Sequence, residues 1–289
     1  MENTFITILR YSRFAFLPFS LVAIASGQLL AGNFDMIHLF LTSFSFIFLH
    51  VFISGSNFLN DVDSDRVSVL MNRQNPILTG DISKKNAKII NFTAPVLAII
   101  TSLFAGSYWV LLILIGIGVI YIYDAKPFRL KDTLLLGLFL PPLNAAGPFL
   151  FGYINATSSF TIPYVVVLVL VFYYLNGLTA IRHIPDADAD RKMKVRTLTT
   201  VYGVDATRYF EIIISISTIL FFVMLVFFTD LSIIGLPILI ISTIVRLNLL
   251  IKPATQIKEP AMWLTSPKMM STNMIAMLVS IVGTVFLLP

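Results

Sequence analysis

The sequence predicts an all-α integral membrane protein, with nine transmembrane helices in one bundle: two pseudo-repeated four-helix halves plus a ninth helix. Three observations predict it. The 289-residue chain is 57% hydrophobic and only 12% charged, with a mean hydropathy of +0.89, whereas ordinary globular domains carry about 25% charged residues. Nine apolar runs are each long enough to cross a bilayer core, which takes roughly 17–25 helical residues. A charged pattern, Asp-x-Asp-x-Asp-Arg, occurs at 61–66 and again at 186–191, an offset of 125 residues.

The first run, about 14–31, follows Arg10 and Arg13 and ends in the stretch AIASGQ, which has the small-residue character of a cleavable leader. Eight further runs follow, so it is read as a retained span. The second, 37–58, ends at the first acidic cluster. The third, 87–105, begins at Lys88 and is parted from the fourth, 108–124, near Gly106. The fifth, 133–153, carries Pro141, Pro142 and Pro148, and the sixth, 160–180, carries Pro163 and ends before the second cluster. The remaining runs are 208–229, 231–250 with Pro237, and 271–288. Prolines inside spans bend helices and open cavities between them. Runs of this length are too long for barrel strands, and lipid leaves the helix as the way to satisfy every backbone group. No separate soluble domain is visible, so residues 1–289 form a single transmembrane domain.

The 20 Lys and Arg residues sort onto alternate connections. They precede span 1, lie between spans 2 and 3, 4 and 5, and 6 and 7, and accompany the 8–9 connection. The connections near Gly32, Gly106, Asn155 and Asp230 carry none. By the positive-inside rule the amino terminus and both acidic clusters are cytoplasmic and the carboxyl terminus is outside a cell membrane. Zero cysteines exclude disulfides, thiolate metal sites and cysteine nucleophiles. The net charge of +5 gives no reason to invoke nucleic acid, and no obligate protein partner is evident.

Carboxylates are costly beside hydrocarbon unless paired, hydrated or metal-bound. At helical spacing Asn57, Asp61 and Asp65 share one face, and Asp186 and Asp190 share another. Two such faces suit Mg²⁺, which binds through one or two carboxylates plus waters and substrate phosphates. With basic side chains alongside, the substrate expected is a phosphate or diphosphate with an apolar tail, as in a prenyl diphosphate. Metal-assisted loss of diphosphate would leave an allylic cation among aromatic residues, of which Phe and Tyr supply 25 and 10. Asn144 and Asn176, polar within spans 5 and 6, are candidates for the cavity wall.

These residues resemble the UbiA superfamily of intramembrane prenyltransferases. The first signature, N-x-x-x-D-x-x-x-D, matches Asn57, Asp61 and Asp65, followed by Asn72-Arg73 and by Pro76 to Gly80. The second matches Asp186, Asp190, Thr197 and Leu198. A third element is similar to Tyr123 through Lys131. The resemblance implies a nine-helix bundle open sideways to lipid, with Asp61, Asp65, Asp186 and Asp190 as metal and catalytic residues for two Mg²⁺ ions. It implies that Asn57, Arg73, Tyr123, Lys126, Arg129, Asn144, His183, Lys192 and Lys194 bind substrates: a prenyl diphosphate donor and a hydrophobic acceptor. The chain departs from the family pattern at three places. His183 stands where the second motif usually has its first Asp, Gln74 and Asn75 stand for a Pro and an Arg, and Phe14 stands for a Pro.

The acceptor is left open among aromatic quinone precursors, carotenoids and lipids. The segments 144–153 and 184–203 look somewhat like the branch that lengthens carotenoids. Two other functions fit the same residues: a divalent-cation transporter or channel, whose internal repeats would look alike, and a terpene cyclase or diphosphatase using the same ionisation. A transporter would want polar groups at mid-span, and these are sparse.

Overall fold

The computed structural model describes residues 4–68, 71–140, 143–156, 183–184, 186–228, 233–256 and 275. Every regular element among them is helical. The span predicted at 160–180 with Asn176, and that at 271–288 apart from residue 275, lie outside the described residues, as does the Asn144 side chain.

A short helix α1 (Thr4–Tyr11) leads through a 3-10 turn into α2 (Leu17–Leu30). Its apolar stripe presents Ile6 and Ile8 outward, while Arg10 reaches Asp81 at 3.5 Å. Asp35 caps α3 (Met36–Asn60), its Oδ1 accepting from the Ile37 amide at 2.8 Å, as an N-cap carboxylate does for unpaired first-turn donors. Helix α3 runs straight to the first acidic cluster. There α4 (Val62–Val67) and α5 (Met71–Gln74) turn the chain back to α6 (Lys84–Ser102), which Ser83 caps. Helix α7 (Ser107–Asp124) follows after Gly106, whose φ of 106° lies where a side chain is disfavoured.

Among the described residues, three helices are long and apolar enough to cross a membrane: Met36–Asn60, Lys84–Ala105 with its terminal 3-10 turn, and Ser107–Asp124. The predicted fifth span is two helices, α8 (Leu134–Phe139) and α9 (Leu143–Ala156). The sequence places Pro141 and Pro142 between them, and a proline pair removes two ladder donors at once. After the second acidic cluster come α10 (Ala187–Lys192), α11 (Leu198–Phe228) and α12 (Gly235–Gln256). Helix α11 breaks at Gly203 (φ 90°, ψ 174°), so the stretch from 198 to 202 is a separate turn before the predicted seventh span.

The core gathers around Trp109, which is fully buried with Ile24, Leu49 and Ile113. Its indole N–H donates to the Ser45 hydroxyl, which satisfies a polar group that hydrocarbon would otherwise strand. Outward-facing Phe40, Phe92, Phe104, Leu111 and Phe227 form the apolar exterior that lipid covers in such a bundle. The two ends differ. One is closed by a hydrogen bond from Asn33 Nδ2 to Ala156 O and by His38 Nε2, which meets the Asn155 side chain at 2.7 Å and Ala105 O at 3.1 Å. The opposite end carries the acidic clusters.

Candidate functional site

The sequence repeat is also a backbone repeat. Asp61 (φ −99°, ψ 4°) and Asp186 (φ −97°, ψ 3°) each stand at the N-cap of a six-residue helix. Asp65 N donates to Asp61 O at 2.7 Å and Asp190 N donates to Asp186 O at 2.8 Å. Each motif therefore stacks its second carboxylate one turn beyond the first.

The two motifs meet. Ser68, just beyond α4, donates its hydroxyl to Asp186 Oδ1 at 2.6 Å and accepts the Met71 amide at 3.1 Å. Burial raises the Asp186 pKa, with the Ser68 bond opposing it and the nearby Asp61 charge adding to it. Burial also pushes Asp190 up to about 7, aided by Asp186, Asp132 and Asp61. The same cause lifts Asp65 to about 6, against a hydrogen bond from Asn75 and with a contribution from Asp61. Carboxylates that raise one another's pKa share one electrostatic field.

Two cations from the connection after α7 enter that field. Arg129, in the left-handed region at φ 41°, donates Nη2 to Asp61 Oδ1 at 2.9 Å, Nε to Asp132 Oδ2 at 2.6 Å and Nη1 to Asn60 O at 2.7 Å. Such a backbone state costs of order 1–3 kcal/mol and persists where surroundings fix it, here three charge-assisted bonds. Lys131 Nζ lies between Asp61 Oδ2 at 2.7 Å and Asp124 Oδ1 at 2.9 Å. Both oxygens of Asp61 are thus engaged by cations. Arg13 adds a further charge near Asp65, its guanidinium 4.4 Å from the Phe58 ring centroid.

The structure therefore brings together Asp61, Asp65, Asp186, Asp190 and Arg129. His183 sits beside them, its Nδ1 3.8 Å from Asp190 Oδ2. Asn57 and Tyr123 are half-buried next to the cluster, one turn before Asp61 and one residue before Asp124. Arg73, Lys126, Lys192 and Lys194 are exposed around it. Sequence reasoning passed over Asn75, Ser68, Asp124 and Lys131 as site residues. Asn75, noted only as a departure from the family pattern, is fully buried and donates Nδ2 to Asp65 Oδ2 at 2.8 Å and to Phe58 O at 3.0 Å. Lys131 and Asp124 both lie in the Tyr123 to Lys131 element that the sequence singled out, where neither was given a role of its own.

Does this donor set fit a divalent cation? Among the described residues no three Asp, Glu or His side chains converge on a point. One ion would therefore draw on at most two of them and fill its shell with water and phosphate oxygen, as Mg²⁺ does. Asp190 Oδ2 is buried with no hydrogen-bond partner, and such an acceptor costs about 1–3 kcal/mol unless a proton or cation meets it. The set is all hard oxygen, so the fit is good. A narrow crevice alongside is lined by Lys131, Thr133, His183, Arg196 and Thr197, backed by Leu134, Leu138 and Leu198.

Residues 16–282 match the model of the UbiA prenyltransferase family. No curated protein matches the chain. Among solved structures, the chain is similar to a UbiA homologue from Archaeoglobus fulgidus bound to GPP and Mg²⁺, with 21% identity, 97% of this chain and 99% of that one covered, and a TM-score of 0.75. It is similar to a digeranylgeranylglyceryl phosphate synthase at 21% identity, 99% of each chain and a TM-score of 0.70. A UbiA homologue from Aeropyrum pernix K1, in its apo form, aligns at 17% identity over 99% of this chain and 98% of that one, with a TM-score of 0.71.

Proposed function

We propose, from the premise that the chain belongs to the UbiA prenyltransferase family, that it transfers an isoprenoid chain from a prenyl diphosphate to a lipophilic acceptor at the cluster just described. The observation that carries the reading is the Ser68–Asp186 bond, which joins two like-built acidic motifs beside an Asp190 oxygen that is buried without a hydrogen bond. The whole chain acts as one domain of nine spans, with the amino terminus and the site cytoplasmic and the carboxyl terminus outside. The distribution of Lys and Arg supports that orientation.

Asp61, Asp65, Asp186 and Asp190, with Asn57, would hold two Mg²⁺ ions. Bound Mg²⁺ supplies charge neutralisation that makes diphosphate a better leaving group. The remaining work falls to the chain. Arg129 and Lys131 bring fixed positive charge to the site, and exposed Arg73, Lys126, Lys192 and Lys194 gather an anionic head from water. His183 and Tyr123 border the reacting end. Leu134, Leu138 and Leu198 exclude water from the tail, so that when the C–O bond breaks and diphosphate leaves with the electron pair, an electron pair of the acceptor captures the allylic cation and the acceptor then gives up a proton. The acceptor is an aromatic quinone precursor, a carotenoid or a lipid. A UbiA homologue of the same fold from A. fulgidus holds GPP and Mg²⁺, and a further structure of this fold is a digeranylgeranylglyceryl phosphate synthase, which supports the donor class.

The testing experiment offers the purified protein geranylgeranyl diphosphate with Mg²⁺ or EDTA in the presence of membrane lipid extract. Mg²⁺-dependent diphosphate release with labelled prenyl in an extractable product supports the reading, and mass spectrometry names the acceptor. Release with only prenyl alcohol or cyclic hydrocarbon would point to a diphosphatase or cyclase instead.

A pH dependence follows from the carboxylates. Unfolded Asp titrates near 4, whereas folded Asp65 and Asp190 titrate at about 6 and about 7. Between these values the folded state holds protons that the unfolded state has released, so metal-free stability falls as pH rises from about 4 through 7. Mg²⁺ needs both groups ionised, so it offsets this loss. Thermal unfolding in detergent is expected to show a downward slope with EDTA and a flatter one with saturating Mg²⁺; parallel slopes would remove these carboxylates from metal binding.

A further inference from the structure

Asp124 is the least exposed carboxylate in the cluster, 2% accessible at the end of α7. It is tied from two sides. Lys131 Nζ donates to it at 2.9 Å, and the Ser56 hydroxyl from α3 also hydrogen-bonds it. Lys131 is nearly as enclosed and divides its ammonium between Asp124 and Asp61.

The division matters when Asp61 changes partner. An Asp61 that engages a cation must loosen its hold on Arg129 and Lys131, since a carboxylate has two oxygens and both are taken. Arg129 keeps Asp132 and the Asn60 carbonyl. Lys131 keeps only Asp124. An ammonium has three donors, so with Asp124 holding one, the others are released toward whatever anion replaces Asp61.

We propose that Asp124 is a positioning residue: it anchors Lys131 independently of Asp61, so that the lysine stays in the site and turns to the diphosphate when Asp61 turns to metal. This rests on the prenyl diphosphate reading above. The alternative role for the pair is a stitch between α7 and the following connection, which would affect folding and not ligand affinity. The structure favours positioning because Lys131 also lines the crevice beside His183 and Arg196.

The test uses the full chain in detergent and measures binding of inorganic pyrophosphate with Mg²⁺ by calorimetry, then turnover of geranylgeranyl diphosphate. The proteins are wild type, Asp124→Asn, Lys131→Gln and the double variant. Asp124→Asn is expected to weaken pyrophosphate binding and raise KM about tenfold while kcat changes less than about threefold, the pattern of lost ground-state binding. The double variant is expected to bind as Lys131→Gln does, because Asp124 acts through the lysine. If Asp124→Asn alone fails to fold, Asp124→Glu, which keeps the charge and shifts it by one methylene, takes its place and is expected to weaken pyrophosphate binding to a smaller degree, whereas wild-type affinity in it would count against the proposal. Wild-type affinity in Asp124→Asn, or a further loss in the double variant, would overturn the proposal. Failure of the wild type to bind pyrophosphate with Mg²⁺ would overturn the prenyl diphosphate reading, and this inference with it.

Discussion

Asp190→Asn is expected to reduce turnover by about 10²–10³-fold or more while the metal-free protein stays as stable as the wild type or becomes more so. Removing one preorganised charge from a transition-state site costs on this scale. The stability half of the prediction follows from what surrounds the residue. Asp190 Oδ2 is buried without a hydrogen-bond partner: Asp186, Asp132 and Asp61 around it are acidic, and the His183 ring lies 3.8 Å off, beyond hydrogen-bond reach. A neutral amide of the same shape relieves that repulsion. Function and stability then pull in opposite directions, as they do where a site is held in a strained charge state for its ligand. Thermal unfolding with EDTA and with Mg²⁺, beside labelled-prenyl transfer, checks both halves. Full turnover in this variant would remove Asp190 from the metal site. Asp61→Asn is a different case: it also removes charge from a carboxylate holding Arg129 and Lys131, and breaking such partly buried pairs costs about 3 kcal/mol. Its loss of activity would carry a loss of fold.

What could be read in advance divides along a physical line. Spacing along one helix is local, so Asn57, Asp61 and Asp65, and Asp186 with Asp190, were legible as faces, and the observed i to i+4 bonds through each motif are what that spacing predicts. Apolar runs fixed α3, α6 and α7 because each must match a bilayer in length. Contacts between distant segments leave no such periodic mark. Ser68 is an ordinary loop serine until Asp186, 118 residues on, accepts its hydrogen bond. Asp124 ends an apolar run and gains meaning only from Lys131 and Ser56. Asn75 was visible only as the wrong residue for the pattern. The structure shows why an amide is tolerated there: it bonds Asp65 while its own Oδ1 accepts the Ile77 amide at 3.0 Å. The fifth span was predicted as one run bent by its prolines, and two separate helices, Leu134–Phe139 and Leu143–Ala156, stand in its place.

The largest effect on folding is expected at Gly152. A Cβ there would lie 2.2 Å from the Ile24 carbonyl oxygen, and a Cβ on Gly27 would lie 2.2 Å from the Phe149 carbonyl oxygen. The arrangement is reciprocal: each glycine faces the carbonyl three residues before the other, so α2 and α9 touch backbone to backbone. In lipid the hydrophobic effect does not draw helices together, and small residues that permit close packing take its place. Neither obstacle is a side chain that can swing away. Gly152→Ala must therefore separate the two helices, and a cost at or above the usual 1–3 kcal/mol for overpacking is expected, with Gly152→Leu yielding no folded protein. Gly118→Ala is the control, because its Cβ meets nothing within 4 Å and alanine favours the helix by up to about 1 kcal/mol. The two alanine variants differ by one methyl each, so a difference in thermal unfolding reports the α2–α9 contact and not helix propensity. Equal stability in the two would mean that these helices do not meet at their glycines.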